Sequence, residues 1–242
     1  MKTTCFSPET LKTNSADLVI NNPSLASLFE KNRIEYCCHG DVPLNQFLKE
    51  LKIPEAEFLA LMNQTVLGNH QAVDFPNVKD PVEIISFILE VYHKPLPKLL
   101  EDLGKLINKA ADHHGPNKPY TIELKKYFDA LKEDLTTHMW KEEKILFPMI
   151  IELYEAKVAK KGKPSLHCGS VGNPITQMEY EHNTVGALLK NMDDTMAPHQ
   201  LAETGCTTLK TIKKSFDYLR IEIHKHIHME NYILHPLARS LE

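Results

Sequence analysis

"HMWKEEKILFP", residues 138 to 148, and "HIHMENYILHP", residues 226 to 236, are two copies of one pattern. Each reads His-x-x-x-Glu, then Ile-Leu and a proline in the same register. His138 aligns with His226, Glu142 with Glu230, Ile145-Leu146 with Ile233-Leu234, and Pro148 with Pro236. Upstream, His93 precedes His138 by 45 residues and His182 precedes His226 by 44. The second half of the chain therefore repeats the first, with a lone histidine on one helix and His-x-x-x-Glu on the next. His235 stands where the first copy has Phe147, and nothing in the sequence accounts for the change.

Residues four apart share a helix face, so His138 points with Glu142 and His226 with Glu230. Four long helices are expected, over about 80–111, 120–160, 175–194 and 209–239, with a kink at Pro95 and Pro97 in the first. Asp80-Pro81-x-Glu83 carries the starting signature of that first helix. The arm from His93 to the end of helix one matches in length the arm from the start of helix two to His138. An antiparallel hairpin then brings both histidines to one height. Two such hairpins converge four imidazoles and two carboxylates inside a bundle.

Six such groups are costly to bury unless something pairs them. A lone His-x-x-x-Glu is usually a solvated i,i+4 pair, but its recurrence beside a second aligned histidine favours a metal. Imidazole with carboxylate suits iron, and in a four-helix bundle this is the kind of set that holds two metals. Two irons need roughly 10 to 12 donors. Four histidines and two bridging glutamates supply eight, leaving room for an oxo or hydroxo bridge and exchangeable positions. Asp134 and Glu181 are candidates for groups behind the ligands, whereas His113, His114, His199, His224 and His228 are expected to be exposed or to lie behind them. Ile145, Leu146, Ile233 and Leu234 read as core.

The remainder of the chain sets the context. Its 242 residues are 42% hydrophobic and 25% charged, ordinary for a soluble globular protein. A net charge of −4 gives no sign of nucleic-acid binding. The N-terminal "MKTTCFSPETLKTNSADLVI" has no apolar signal-peptide region, and no apolar run approaches a bilayer span, so a cytoplasmic protein is expected. Residues 1–66 read as a small helical domain in which "NPSLASLFEKN" and "VPLNQFLKEL" each begin at a proline; Leu44, Phe47, Leu48 and Leu51 are expected on one face. Residues 67–79 read as a linker and 80–242 as the four-helix bundle, an all-α protein throughout.

Five scattered cysteines do not form a disulfide framework. Cys37 and Cys38, in "EYCCHGD", can close only a strained eight-membered ring, a poor structural staple. A helix starting at Pro43 is expected to lower the pKa of a nearby thiol. The pair therefore reads as redox or iron-relay thiols, with buried structural thiols as the alternative.

The paired lone histidine and His-x-x-x-Glu resemble the hemerythrin-like four-helix di-iron domain. "HMWKEEKILFPMI" and "HIHMENYIL", together with "NNPSLASLFEKNRIEYCCHGD", are similar to the RIC family of iron–sulfur cluster repair di-iron proteins, whose small N-terminal domain is of the ScdA type. The resemblance runs from about Leu18 to the C-terminus. It implies that His93, His138, Glu142, His182, His226 and Glu230 ligate two iron ions, with Glu142 and Glu230 bridging. It implies a cytoplasmic protein that restores clusters after nitrosative or oxidative damage by supplying labile iron. Damaged or apo iron–sulfur proteins would be its partners and nitric oxide, oxygen or peroxide its small-molecule ligands, with no nucleic acid or membrane and a homodimer left open. A nitric oxide- or peroxide-reducing enzyme and an oxygen or nitric oxide sensor are the alternatives. The chain departs from the family at His39, where a Cys-Cys-Gly-Gly run is expected, and in a longer loop at 162–174.

Overall fold

The computed structural model describes residues 6–67, 79–162 and 164–242. Cys5 and all but the ends of the expected 67–79 linker lie outside the described residues. Within these bounds the regular structure is helical and no residue belongs to a β-strand. None of the described helices is long and apolar enough to cross a membrane. The chain divides into two compact units, residues 1–77 with 224–233, and residues 78–223 with 234–242.

The first unit opens with a 3-10 turn, Pro8–Lys12, followed by α1 (Ser15–Asn21), α2 (Leu25–Lys31), α3 (Leu44–Glu50) and α4 (Glu55–Leu67). Leu25, Leu28 and Phe29 of α2, Leu44 and Leu48 of α3, and Phe58 and Met62 of α4 are buried in one apolar cluster. Phe29 stands at its centre, 6.1 Å from the Phe58 ring and edge-on to Tyr36 at 6.3 Å, separations at which aromatic pairs attract. Leu51 does not join that face. It lies one residue past the end of α3 and is exposed, because the helix stops before the 3.6-residue period can carry it inward.

The second unit contains α5 (Pro81–Ile88) and α6 (Leu96–His114), then α7 (Tyr120–Lys141) and α8 (Phe147–Val158), then α9 (Gly172–Met196) and a short α10 (Leu201–Thr204). Asp80 caps α5 by accepting the Val82 N–H at 2.8 Å, and the Tyr154 hydroxyl donates to the same carboxylate at 2.8 Å. Leu96, Leu100, Leu103, Ile107 and Ala110 form the buried stripe of α6, at the spacing of an amphipathic helix. Helix α7 packs along both α6 and α9. Gly104 permits the first of these approaches, since a Cβ there would lie 2.9 Å from the Phe128 ring. Helix α11 (Thr207–Met229) belongs to this unit as far as Ile223 and to the first unit from His224, and α12 (His235–Arg239) again belongs to the second.

Three of the arms contain a single wide π-helical turn, at Leu89–His93, Glu142–Leu146 and Glu230–Leu234. The cause is visible in the sequence. Pro95, Pro148 and Pro236 lie four residues beyond Val91, Lys144 and Tyr232, the middle residue of each π turn. A proline cannot donate to the carbonyl four residues back, and its ring collides with that carbonyl, so the helix widens locally. The kink expected at Pro95 and Pro97 is thus a π turn; the turn beside His-x-x-x-Glu occurs in both copies of the repeat, whereas α9, which carries His182, has no counterpart to the one at Leu89–His93. Each of the three turns contains His93, Glu142 or Glu230.

Candidate metal centre

In the second unit His93, His138, Glu142 and His182 are all buried, and Glu142 is fully shielded from solvent. The two carboxylate oxygens of Glu142 face different imidazoles. Its Oε2 is 3.3 Å from His93 Nε2 and its Oε1 is 3.2 Å from His138 Nε2. His182 Nε2 lies 3.0 Å from His138 Nε2. One donor atom from each of His138, Glu142 and His182 falls within 4.8 Å of the others.

The outward nitrogens of two of these rings meet carboxylates. His93 Nδ1 lies 3.0 Å from Glu143 Oε1, and His138 Nδ1 lies 3.0 Å from Glu181 Oε2. A proton on each Nδ1 leaves the Nε2 lone pair directed inward, the tautomer a metal requires. Glu181 also accepts from Lys141 at 2.6 Å and Gln177 at 2.8 Å. The His138 hydrogen bond first, and then those of Lys141 and Gln177, hold its carboxyl down at about 2 against a smaller opposing effect of burial. Glu181, expected behind the ligands as the neighbour of His182, backs His138, whereas Asp134, one turn before His138, is exposed. Glu143 was not singled out from the sequence; its only signal there is adjacency to Glu142.

The first unit carries the other two predicted ligands on α11 and the π turn that follows. His226 Nε2 is 3.1 Å from Glu230 Oε1, both buried. The same segment holds α2 and the cysteine loop through residues four and three apart. His224 Nδ1 is 2.7 Å from Glu30, His228 Nδ1 is 2.9 Å from the Tyr36 carbonyl, and the Asn231 amide donates to the Cys37 carbonyl at 2.9 Å. The Gly40 N–H donates to the Tyr232 hydroxyl oxygen at 2.7 Å. His224 and His228 are thus buried rather than exposed, holding Glu30 of α2 and the Tyr36 carbonyl more than 180 positions away. Burial pushes His228 down to about 4, with only a small opposing effect from the Tyr36 carbonyl.

Cys37 and Cys38 are free thiols, their sulfurs 3.8 Å apart, with Glu35 Oε2 3.7 Å from Cys37 Sγ. Donor atoms of Glu35, Cys37 and Cys38 all lie within 4.8 Å of one another. The expectation of a lowered thiol pKa fails at Cys37. Its hydrogen bond to Cys38, its complete burial and the nearby Glu35 charge raise it well above the ordinary thiol value. A helix dipole acts over about one turn, and these closer effects outweigh it. Iodoacetamide is therefore expected to label Cys38 in the native protein faster than Cys37, since Cys37 is buried, Cys38 is partly exposed and only an accessible thiolate reacts. Equal labelling of both, read by peptide mass spectrometry, would contradict the buried, protonated Cys37. His39 and His167 are exposed, and Cys168 is partly buried in the long loop.

Whether these residues suit a metal can be judged from the donors themselves. Two imidazole nitrogens 3.0 Å apart repel unless one donates a proton or both face a cation. A fully buried carboxylate with imidazoles at both oxygens is the arrangement of a bridging ligand, and its charge is costly to hold there without a counter-ion. The donor set is nitrogen and oxygen without sulfur, which suits iron or another first-row ion better than a thiophilic one.

Comparison with known proteins places this site in a family. Residues 85–238 match the model of the hemerythrin HHE cation binding domain, and residues 13–65 match that of ScdA_N, a domain of unknown function. The chain is 28% identical to the iron–sulfur cluster repair protein ScdA of Staphylococcus haemolyticus, across 90% of this chain and 94% of the relative. It is 33% identical to the iron–sulfur cluster repair protein YtfE of Enterobacter sp. strain 638, and 32% to that of Escherichia coli O8, each across 93% of this chain and 96% of the relative. With an HHE cation-binding region spanning all six predicted ligands and an ScdA_N region spanning the cysteine pair, the chain belongs to the family of hemerythrin-like iron–sulfur cluster repair proteins.

Proposed function

We propose that this protein carries two iron ions on His93, His138, Glu142, His182, His226 and Glu230, with Glu142 and Glu230 bridging, and repairs damaged iron–sulfur clusters by giving up iron. The observation that carries this reading is Glu142, a fully buried carboxylate presenting one oxygen to His93 and the other to His138. The likeness of nearly the whole chain to proteins named for iron–sulfur cluster repair supports the function. Bound iron would supply redox chemistry and exchangeable coordination positions.

The chain's own groups have defined tasks in this scheme. Glu143 and Glu181 hold the protons on the outer nitrogens of His93 and His138 and keep both rings turned inward. Nitrogen and oxygen donors hold ferrous iron less firmly than thiolates do, which favours handing it on. Cys37 and Cys38, with Glu35 alongside, would be the relay that takes iron toward a damaged or apo iron–sulfur protein in the cytoplasm. Nitric oxide, oxygen or peroxide reaching the centre would be the signal for release.

The deciding experiment is metal content and visible absorption of freshly purified protein, followed by timed transfer to an apo iron–sulfur acceptor. About two irons per chain, the number that the donor count supports, followed by cluster formation in the acceptor at the expense of protein-bound iron, is the expected result. A folded protein that takes up no iron under anaerobic reconstitution would end the di-iron reading. Turnover of nitric oxide or peroxide with both irons retained would replace repair by donation with catalysis.

A further inference from the structure

The two halves of the repeat differ at the residue packed against each lone histidine. In the first half Phe147 covers His93, their ring centroids 5.7 Å apart and planes tilted by 33°. In the second half the aligned residue is His235, parallel to His182 within 4° at a centroid separation of 6.1 Å. His235 is fully buried. Its Nδ1 lies 3.5 Å from Glu179 Oε1, and Glu179 is gripped by both arms of Arg239 at 3.0 and 3.1 Å. Glu179 and Arg239 are each partly open to solvent. Both lone histidines thus have a partly exposed carboxylate nearby, Glu143 at His93 Nδ1 and Glu179 behind His235, but the ring packed against His93 is apolar and the one packed against His182 is polar.

We propose that His235 is a positioning residue that makes the two metals of the centre unequal. It fixes the plane of His182 by parallel stacking and lines that side with polar groups, so that the metal held by His182 is the first to exchange. This rests on the di-iron reading above. Polar lining admits water and a competing ligand where a phenyl ring excludes them, and groups that orient a ligand without touching the metal typically change metal affinity about 10–100-fold. Phenylalanine is an informative replacement because the first half already accommodates it at this position.

The test is the time course of iron loss from the full-length iron-loaded protein to ferrozine, with Mössbauer spectra of the same samples. The wild type is expected to lose iron in two phases of equal amplitude and to show two unequal quadrupole doublets. His235→Phe should slow the fast phase about tenfold, the lower end of that range, draw the doublets together, and leave total iron and the slow phase unchanged. Glu179→Gln removes the anion that orients His235 without entering the stack, and should alter the fast phase alone. It also serves if His235→Phe fails to fold. Single-phase loss from the wild type, or two irons with kinetics and spectra untouched by the folded variants, overturns the proposal and leaves the di-iron reading standing. A wild type that binds no iron removes both.

Discussion

Glu142→Ala is expected to purify with almost none of the wild type's iron while keeping its helical content. The effect should exceed that of losing any one histidine, because Glu142 presents an oxygen to each of two imidazoles and, like Glu230, would bridge the proposed metals, while every histidine would supply one nitrogen. The stability of the variant carries a sharper sign. With metal absent, the Glu142 carboxylate is a buried anion among imidazoles, and its removal relieves a desolvation cost. Metal-free Glu142→Ala should therefore melt no lower than the metal-free wild type. With iron present the order reverses. A ligand at a thousand times its dissociation constant stabilises the folded state by about 4 kcal/mol, on the order of 10 °C in Tm for a chain of this size. The wild type should gain that increment on iron loading and lose it to a chelator, and the variant should show neither change. Calorimetry with and without iron checks this; a variant that still gains stability from iron would remove Glu142 from the ligand set.

The sequence displayed the site more fully than it displayed the surroundings. His93, His138, Glu142 and His182 were legible because helical spacing and an internal repeat are both periodic signals, and periodicity survives without coordinates. The π turns were only half legible. Pro95 and Pro97 announced a disturbance in the first helix, while the helices through Pro148 and Pro236 were expected to run on unbroken; the widening over Leu89–His93, Glu142–Leu146 and Glu230–Leu234 emerges only when the proline register is laid against the ligand positions. Contacts made across long stretches of chain left no local trace. His224 and His228 were expected to be exposed or to lie behind the ligands, with nothing to indicate their partners, Glu30 and the Tyr36 carbonyl, which lie 194 and 192 residues earlier. The same limit misled the thiol argument. A helix start can be seen in "DVPLNQF", whereas the burial of Cys37 and its contacts with Cys38 and Glu35 cannot.

Gly40→Ala is expected to loosen the cysteine loop more than any other single-methyl change in the first unit. A Cβ at residue 40 would lie 2.6 Å from the Ala16 Cβ and 2.6 Å from the Tyr36 carbonyl oxygen. Neither obstacle is the free end of a flexible side chain, so the backbone of the loop must shift. That backbone is held at both sides: the Ala16 N–H donates to the Gly40 carbonyl at 2.9 Å, and the Gly40 N–H donates to Tyr232. Overpacking of this kind costs about 1–3 kcal/mol, and displacement of the two hydrogen bonds adds to it at about 1 kcal/mol each. The loss should appear as a lower denaturation midpoint together with faster alkylation of Cys37, whose slow reaction in the wild type depends on the same loop. Tyr232 is the middle residue of the π turn that contains Glu230. A shift of Gly40 should therefore also reach that turn and weaken iron retention. Tyr232→Phe separates the two consequences, since it removes the acceptor for Gly40 without adding a methyl group. It should leave Cys37 less exposed than Gly40→Ala does while still hastening iron loss. If Gly40→Ala changes thiol reactivity and leaves iron retention at the wild-type rate, the cysteine loop and the Glu230 turn are mechanically independent, and the hydrogen bonds from Gly40 and Asn231 serve only to seat the loop.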